Sequence, residues 1–477
     1  MRLVWALLFA LSSVAPAIAV EPKGRPSSVI FVLVDTLRAD YLGSYGFQGD
    51  ISPNLDRIAR ESVVFEDCFS QAPWTKPSIA TLFTSLDPLA HQVLSHRGQY
   101  NQPEVEVRTD GKIKTDVLPG SVTTLAEAFH HAGYATAGFV ANPWIRQEVG
   151  FAQGFERFED NFAANGTDAD VIIDAARAWL EHRPKDKPFF LYLHFMDVHD
   201  PYDAPDADYE ALKDSPSLGK PQTLNAGNLS KGLLRSLRPV GAHWADPDKP
   251  ERLQLRTWRG RYAAGVRAFD RRFQVLLELL ASSGLSRNTT LVITSDHGEE
   301  LYEHGGWAHG LSLFDQELHV PLIIRPPGGL AGGKRVSGLV GLIDVAPTLT
   351  AFQGLTADRA WRGRNFSAAL SGSSGRVEQS AIFATAVKWE PALAAVRTKS
   401  FKLMRDRSSG SEKLFDLTKD PAELRDVKAK NPAMTEKLRK LLADHLARTA
   451  KNTAARPKEV EIDKATTERL RALGYIE

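Results

Sequence analysis

The chain has 477 residues, enough for one large domain and a smaller one. Its formal net charge is +1, so the composition gives no reason to expect a polyanion partner such as nucleic acid. Cys68 is the single cysteine, which excludes a disulfide within the chain and favours a small buried apolar side chain.

The first 19 residues have the pattern of a secretory signal peptide. Arg2 precedes an apolar run over residues 3–11, and the stretch ends on Ala17-Ile18-Ala19. A membrane anchor would need about 20 unbroken apolar residues, which this stretch lacks. We therefore expect cleavage after Ala19, export to the periplasm or the medium, and no stable insertion into a membrane.

The next part of the chain alternates between strand-like and helix-like segments. Residues 28–34 form a continuous apolar run rich in β-branched side chains, as in a strand covered on both faces. Similar runs occupy residues 189–193 and 290–293. Helical patterns lie between them, over residues 53–61, 123–132, 168–181 and 261–281. This alternation predicts an α/β fold with a mostly parallel central sheet flanked by helices. Loops are predicted at residues 95–120 and 201–255.

Past residue 375 the pattern changes to short strands and one long charged helix. The strand-like pieces and the helix are residues 380–384, 394–397, 401–404 and 432–449. They predict a smaller C-terminal α+β domain over residues 376–477, after a catalytic domain over residues 20–375. Residues 469–475 are predicted to form a final docking helix.

Three potential metal ligands directly follow predicted strands. Asp35 follows the first apolar run, and Asp296 and His297 follow the run at residues 290–293. Ligands of open parallel sheets bind beyond the carboxyl ends of strands. Two carboxylates and an imidazole are compatible with Mn, Zn, Mg or Ca, although the imidazole disfavours Ca. The alternative is that each Asp caps the following helix, which is the better interpretation of either residue alone.

The residues around these ligands resemble the sulfatase family, within the alkaline-phosphatase-like superfamily. Five segments match that family in order: its opening motif, the helix that follows, its mid-chain histidine motif, its second metal motif and its small terminal domain. In this chain they are residues 34–46, 52–59, 193–202, 294–310 and 414–421. The resemblance implies an ester hydrolase with a small anionic ester substrate.

The resemblance also implies roles for individual residues. Asp35, Asp296 and His297 would be ligands of one divalent cation. His199 would contact the charged group of the substrate, and His309 lies near the position of a substrate-binding lysine in many sulfatases. Both histidines are therefore candidate catalytic and substrate-binding residues. The alternative is that they are surface residues of polar loops.

The chain departs from the family at the nucleophile. Sulfatases carry Cys-x-Pro-Ser-Arg, or Ser for Cys, and the first residue is oxidised to formylglycine. Here Thr75 stands in the cysteine position and Ile79 in the arginine position, while the Pro-Ser frame is retained. No formylglycine is expected, because threonine cannot be converted by that route. The family's Lys-x-His pair is also missing from residues 138–143.

A hydroxyl needs a base or a metal to become a good nucleophile. A cation held by the three predicted ligands could also coordinate Thr75 and lower its pKa. Nucleotide pyrophosphatases and phosphoethanolamine transferases of the superfamily use such a threonine on phosphate esters. Lys76 is a candidate substrate-binding residue that would offset charge on the transferred group, or else a solvated lysine.

Three hypotheses about function stay open at this point. The first is a hydrolase of sulfate or phosphate esters with Thr75 as nucleophile. The second is a phosphoryl-group transferase, similar to the phosphoethanolamine transferases. The third is a non-catalytic, sulfatase-like protein that binds an anion. The metal ligands argue against the third, whereas the missing arginine and Lys-x-His pair favour it.

Overall fold

The computed structural model describes the chain with several gaps. The described residues are 27–94, 113–160, 162, 169–220, 222, 254–385, 388, 392–454 and 457–472. The predicted signal peptide lies outside them, as do most residues of the two predicted loops. Within these ranges, the helices are all too short or too polar to cross a membrane.

The strands are named in chain order. They are β1 (Ser28–Val34), β2 (Val63–Phe69), β3 (Ile113–Asp116), β4 (Ala135–Val140), β5 (Arg157–Glu159), β6 (Phe189–Phe195), β7 (Thr289–Thr294), β8 (Glu300–Leu301), β9 (Trp307–Ala308), β10 (His319–Arg325), β11 (Lys334–Gly341), β12 (Ile382–Ala384), β13 (Leu393–Arg397), β14 (Phe401–Asp406), β15 (Glu412–Asp416) and β16 (Glu459–Ile462).

The α-helices are named in the same way. They are α1 (Pro53–Ala59), α2 (Thr75–Thr84), α3 (Pro88–His91), α4 (Leu125–His131), α5 (Ala169–His182), α6 (Asp206–Glu210), α7 (Leu255–Ser282), α8 (Asp315–Leu318), α9 (Val345–Phe352), α10 (Ser367–Leu370), α11 (Pro432–Lys451) and α12 (Lys464–Ala472).

An eight-stranded sheet forms the centre of the larger domain, in the order β5-β4-β6-β1-β7-β10-β2-β11. Only β10 runs antiparallel to its neighbours in this sheet. Helices α2, α4 and α9 pack together as one group, and α1, α5 and α7 as another. Every residue of β1 and β6 is buried, as expected for central strands with helices on both faces. The predicted α/β fold with a mostly parallel sheet is confirmed.

The main strands and helices were predicted from the sequence, but other strands were not. Cys68 is buried in β2, a strand that the sequence analysis did not identify. The predicted loop at residues 95–120 was wrong in part, because residues 113–116 form β3. This strand pairs antiparallel with β16, near the end of the chain. A short strand with a partner so distant in sequence gives little local signal.

The C-terminal part is a smaller α+β domain, as predicted. Strands β12 to β15 form an antiparallel sheet. One face packs on the larger domain, where Met404 and Phe415 share an apolar cluster with Phe69. The other face is covered by α11 through Leu438 and Leu442. The boundary between residues 375 and 376 stays a prediction.

The final helix begins earlier than predicted. It spans Lys464–Ala472, whereas the sequence predicted residues 469–475. Its start is set by Asp463, whose carboxylate accepts the amide of Thr466 at 2.8 Å and so satisfies a first-turn N–H group. Residues 473–475 lie outside the described residues.

Candidate active site

The sheet brings the predicted metal ligands together at the carboxyl ends of its central strands. Asp35 directly follows β1, and Asp296 and His297 follow β7, which pairs with β1 in parallel. One ligand atom from each of these three residues lies within 4.8 Å of the others. His297 Nε2 is 3.3 Å from Asp296 Oδ2 and 3.6 Å from Asp35 Oδ1. All three side chains are fully buried.

The arrangement of donors and acceptors fits a cation. His297 Nδ1 lies 2.9 Å from the carbonyl of Gly298, which only accepts, so Nδ1 carries the proton and Nε2 presents a lone pair. Within the described residues, Asp35 Oδ1 and Asp296 Oδ2 have no hydrogen-bond partner. Three buried acceptors thus face one another, and a divalent cation is the partner that satisfies such a set.

The electrostatics of the two carboxyls differ because they share this buried space. Burial, followed by the negative charge of Asp35, raises the pKa of Asp296 well above its usual range. Burial also acts to raise the pKa of Asp35, but a hydrogen bond from His194 and the charges of nearby histidines outweigh it and lower the pKa to about 2. Two adjacent carboxylates therefore cannot both be charged at low cost without a cation.

Thr75 lies beside this cluster at the start of α2. It is the first residue of the ten-residue helix and is fully buried. Its hydroxyl donates to His297 Nε2 at 3.3 Å. Ser78 of the same helix donates to the carbonyl of Asp296 at 2.6 Å, which fixes the helix against the segment that follows β7. Pro77 is tolerated here because first-turn amides have no partner within a helix.

Asn142 contacts both the candidate metal ligand Asp35 and Thr75, and it was not predicted as a site residue from the sequence. Its side-chain amide donates to Asp35 Oδ2 at 2.6 Å and approaches Thr75 Oγ1 at 3.5 Å. Its oxygen accepts the amide of Trp144 at 2.8 Å, which fixes the orientation of the side chain. Its position just after β4, where the family's Lys-x-His pair is missing, could have indicated that Asn142 belongs to the site.

His194 was also missed. It lies in β6, and its Nε2 donates to Asp35 Oδ2 at 3.1 Å. The hydroxyl of Tyr192 lies 3.1 Å from Nδ1 and donates to it, because Nε2 carries the proton. This chain of hydrogen bonds orients Asp35, as groups behind metal ligands often do. In the sequence, a polar residue near the end of an otherwise apolar strand could have indicated that His194 belongs to the site.

His199 and His309 lie close to the three candidate metal ligands. Their ring centroids are 5.1 Å apart, and His309 is 4.4 Å from His297. His199 Nδ1 donates to the carbonyl of Asp200 at 2.6 Å, and His309 Nδ1 lies 3.1 Å from Glu299 Oε1. Both residues are buried, so the alternative interpretation as surface histidines was wrong. Burial lowers the pKa of each, which favours neutral imidazoles.

Lys76 points toward the short sheet formed by β3 and β16. Its ammonium lies 2.5 Å from Thr115 Oγ1 and 5.7 Å from the ring centroid of Trp144. The side chain is fully buried, so Lys76 is not a solvated lysine, and burial lowers its pKa to about 7. A role of Lys76 in substrate binding stays a prediction.

Lys388 reaches the site from the C-terminal domain. It lies between β12 and β13, and its amide donates to the carbonyl of Gly310 at 2.6 Å. It is buried, and its ammonium lies 6.0 Å from the ring centroid of Trp74, the residue before Thr75. No pattern in the sequence pointed to this lysine, because the contact depends on how the two domains pack.

Known proteins resemble this chain along most of its length. The model of the sulfatase family matches residues 27–355, and the model described as N-sulphoglucosamine sulphohydrolase, C-terminal, matches residues 303–452. The chain is 23% identical over 465 residues to a Δ4,5-hexuronate-2-O-sulfatase of Bacteroides thetaiotaomicron, covering 90% of this chain and 89% of the relative.

Two solved structures share the fold. One, solved in complex with its substrate D-glucosamine-2-N,6-O-disulfate, has a TM-score of 0.70 at 20% identity and covers 90% of this chain and 99% of its own. The other, a phosphonate monoester hydrolase of Agrobacterium radiobacter, has a TM-score of 0.68 at 21% identity and covers 89% and 96%. The family model spans more than half of the sequence, so this chain belongs to the sulfatase family of ester hydrolases.

Proposed function

We propose that the chain is a divalent-metal-dependent hydrolase of sulfate or phosphate esters in which Thr75 is the nucleophile. The observation that supports this most directly is the contact of 3.3 Å between Thr75 Oγ1 and His297 Nε2, beside Asp35 and Asp296. Thr75 also begins a helix of ten residues, and a helix N-terminus favours a bound anion.

In the first step, Thr75 Oγ1 forms a bond to the central sulfur or phosphorus, and the bond to the ester oxygen breaks. The threonine proton must reach the leaving oxygen, so that an alcohol departs. His199 Nδ1 donates to the carbonyl of Asp200, so its Nε2 carries the lone pair that could accept that proton and return it, and His309 is the second candidate beside it. A bound divalent cation would supply Lewis-acid activation of the hydroxyl and offset charge on the transferred group.

In the second step, water attacks the modified threonine. One water proton restores the Thr75 hydroxyl, and the acid anion leaves with the water oxygen and its second proton. Formylglycine has a second hydroxyl, so its sulfated hydrate can expel sulfate by elimination. A sulfated threonine has no second hydroxyl for this elimination and must be hydrolysed by attack of water. Attack on a phospho-threonine is easier, so we propose that phosphoryl turnover is faster than sulfuryl turnover.

The substrate is proposed to be a small anionic ester. A related sulfatase is named for a 2-O-sulfated hexuronate, and a structural neighbour binds a disulfated glucosamine, so charged sugars belong among the substrates to test.

We also propose that the protein is exported after cleavage of residues 1–19, because the sequence of this segment has the signal-peptide pattern.

A substrate panel tests the proposed function. Nitrophenyl sulfate, phosphate, phosphodiester and phosphonate, together with sulfated and phosphorylated sugars, are offered to protein stripped of metal and reloaded with Mn, Zn, Mg or Ca. We expect hydrolysis that depends on the added metal, with a phosphate-type ester as the best substrate. Turnover that is equal with and without metal would contradict metal dependence. A best substrate that is a sulfate would contradict the preference for phosphoryl transfer.

A further inference from the structure

Lys388 belongs to the C-terminal domain in sequence but is fixed against the active-site loop of the larger domain. Its amide donates to the carbonyl of Gly310, which directly follows His309. Gly310 has a φ of +83°, and a Cβ added there would lie 2.9 Å from Cβ of Lys388 and 3.5 Å from Cβ of Trp74. The backbone of Lys388 therefore lies beside both His309 and the residue that precedes Thr75.

The side chain of Lys388 is buried, which is rare for lysine. The residue is 3% exposed, and burial lowers its pKa to about 7. Its ammonium lies 6.0 Å from the ring centroid of Trp74, the residue that directly precedes Thr75.

An anionic ester in this site needs a positive charge beyond that of the metal. Asp35 and Asp296 together would offset a divalent cation. Ile79 stands where the family motif has an arginine. A lysine ammonium is a compact charge with three donors, which suits the terminal oxygens of a tetrahedral sulfate or phosphate.

We propose that Lys388 binds the terminal oxygens of the sulfuryl or phosphoryl group, so that the C-terminal domain completes the anion-binding site of the larger domain. This inference rests on the proposed function, because it assigns a further substrate-binding residue to the same site. It also gives the packing of the two domains a role in substrate binding.

The test uses the full chain with metal bound and compares Lys388→Met with Lys399→Met, a matched change at an exposed lysine of the same domain. Inorganic phosphate and sulfate serve as competitive inhibitors, and KM, kcat, metal content and Tm are measured in parallel. We expect the inhibition constant of phosphate to rise roughly tenfold to a hundredfold in Lys388→Met, as for loss of a charged hydrogen bond. Its Tm should not fall, because the change removes a buried charge. Lys399→Met should behave as wild type.

Lys388→Gln is the second variant, in case the methionine variant does not fold. A folded, metal-loaded variant with wild-type inhibition constants and KM would overturn this inference alone. Failure of both variants to fold would also count against it, because Lys388 would then serve the stability of the fold. If the wild type binds neither phosphate nor sulfate and hydrolyses no ester of the panel, the proposed function fails as well.

Discussion

The hydroxyl of Thr75 lies 3.3 Å from Nε2 of His297, although the two residues come from different elements of the fold. Thr75 begins α2, and His297 follows β7. The contact places a hydroxyl at the edge of three converging acceptor atoms, where a metal would activate it. It is the feature of the site that most directly links a candidate nucleophile to a candidate metal.

Replacement of Thr75 should therefore remove most of the activity. We expect Thr75→Ala to lower kcat/KM by at least roughly a hundredfold, as for a principal catalytic group. Thr75→Ser should keep part of the activity, because the hydroxyl survives. Thr75→Cys should not become a good sulfatase, because Ile79 still replaces the arginine of the maturation motif. The rates on the best substrate of the panel check all three, and a wild-type rate in Thr75→Ala would point to a metal-bound water instead.

The structure brings together several predicted site residues that lie in continuous motifs. Asp35, Asp296 and His297 follow recognisable strands, and the structure places their ligand atoms within 4.8 Å of one another. His199 and Thr75 were also found from their motifs. Convergence of Asp35, Asp296 and His297 is expected from the sequence because the carboxyl ends of parallel strands meet at one edge of a sheet.

The residues that were missed approach the site through tertiary contacts. Asn142 follows a strand that was not predicted, and His194 directly follows an apolar run that indicates only burial. Lys388 reaches the site from another domain. None of these contacts follows from hydrophobic periodicity, which reports the local element and not its partner.

Loss of one carboxylate should remove the metal. We expect Asp296→Ala to bind much less divalent cation than wild type, because only Asp35 and His297 of the three converging residues would remain. Elemental analysis of the purified proteins measures this directly. Asp174→Ala, at a side chain that is 75% exposed, is the matched control and should keep wild-type occupancy. Equal metal content in Asp296→Ala would exclude Asp296 as a ligand.

Asn142 should act as a positioning residue. Asn142→Ala removes the amide that donates to Asp35 at 2.6 Å and approaches Thr75. We expect kcat at saturating metal to fall roughly tenfold to a hundredfold, as for groups that orient metal ligands. KM should change little, since Asn142 is not assigned to the substrate. Asn288→Ala, at an exposed asparagine, is the control. A variant in which KM rises and kcat stays constant would instead assign Asn142 to substrate binding.

Export can be tested on the mature protein. If residues 1–19 are a signal peptide, N-terminal sequencing of protein recovered from the periplasm or medium of a bacterial host should begin at Val20. Replacing the apolar run at residues 3–11 with polar residues should retain the protein in the cytoplasm. Soluble cytoplasmic protein that still begins with Met1 in the unaltered chain would contradict the prediction.

The stability of the fold should depend on pH through Asp200. Burial raises the pKa of this carboxyl from 3.8 to about 8, and its Oδ1 has no hydrogen-bond partner within the described residues. Because the folded pKa lies above the unfolded one, the contribution of Asp200 to stability is fully present below about pH 4 and is lost as the pH rises through about 8.

Asp200→Asn resembles the protonated form and does not titrate. We therefore expect the free energy of unfolding of Asp200→Asn, relative to wild type, to increase between pH 4 and pH 8 by about 2–5 kcal/mol. Calorimetric unfolding at pH 5, 7 and 9 measures this difference, with exposed Asp203→Asn as the control. A difference that stays constant across this range would mean that Asp200 is ionised in the folded protein.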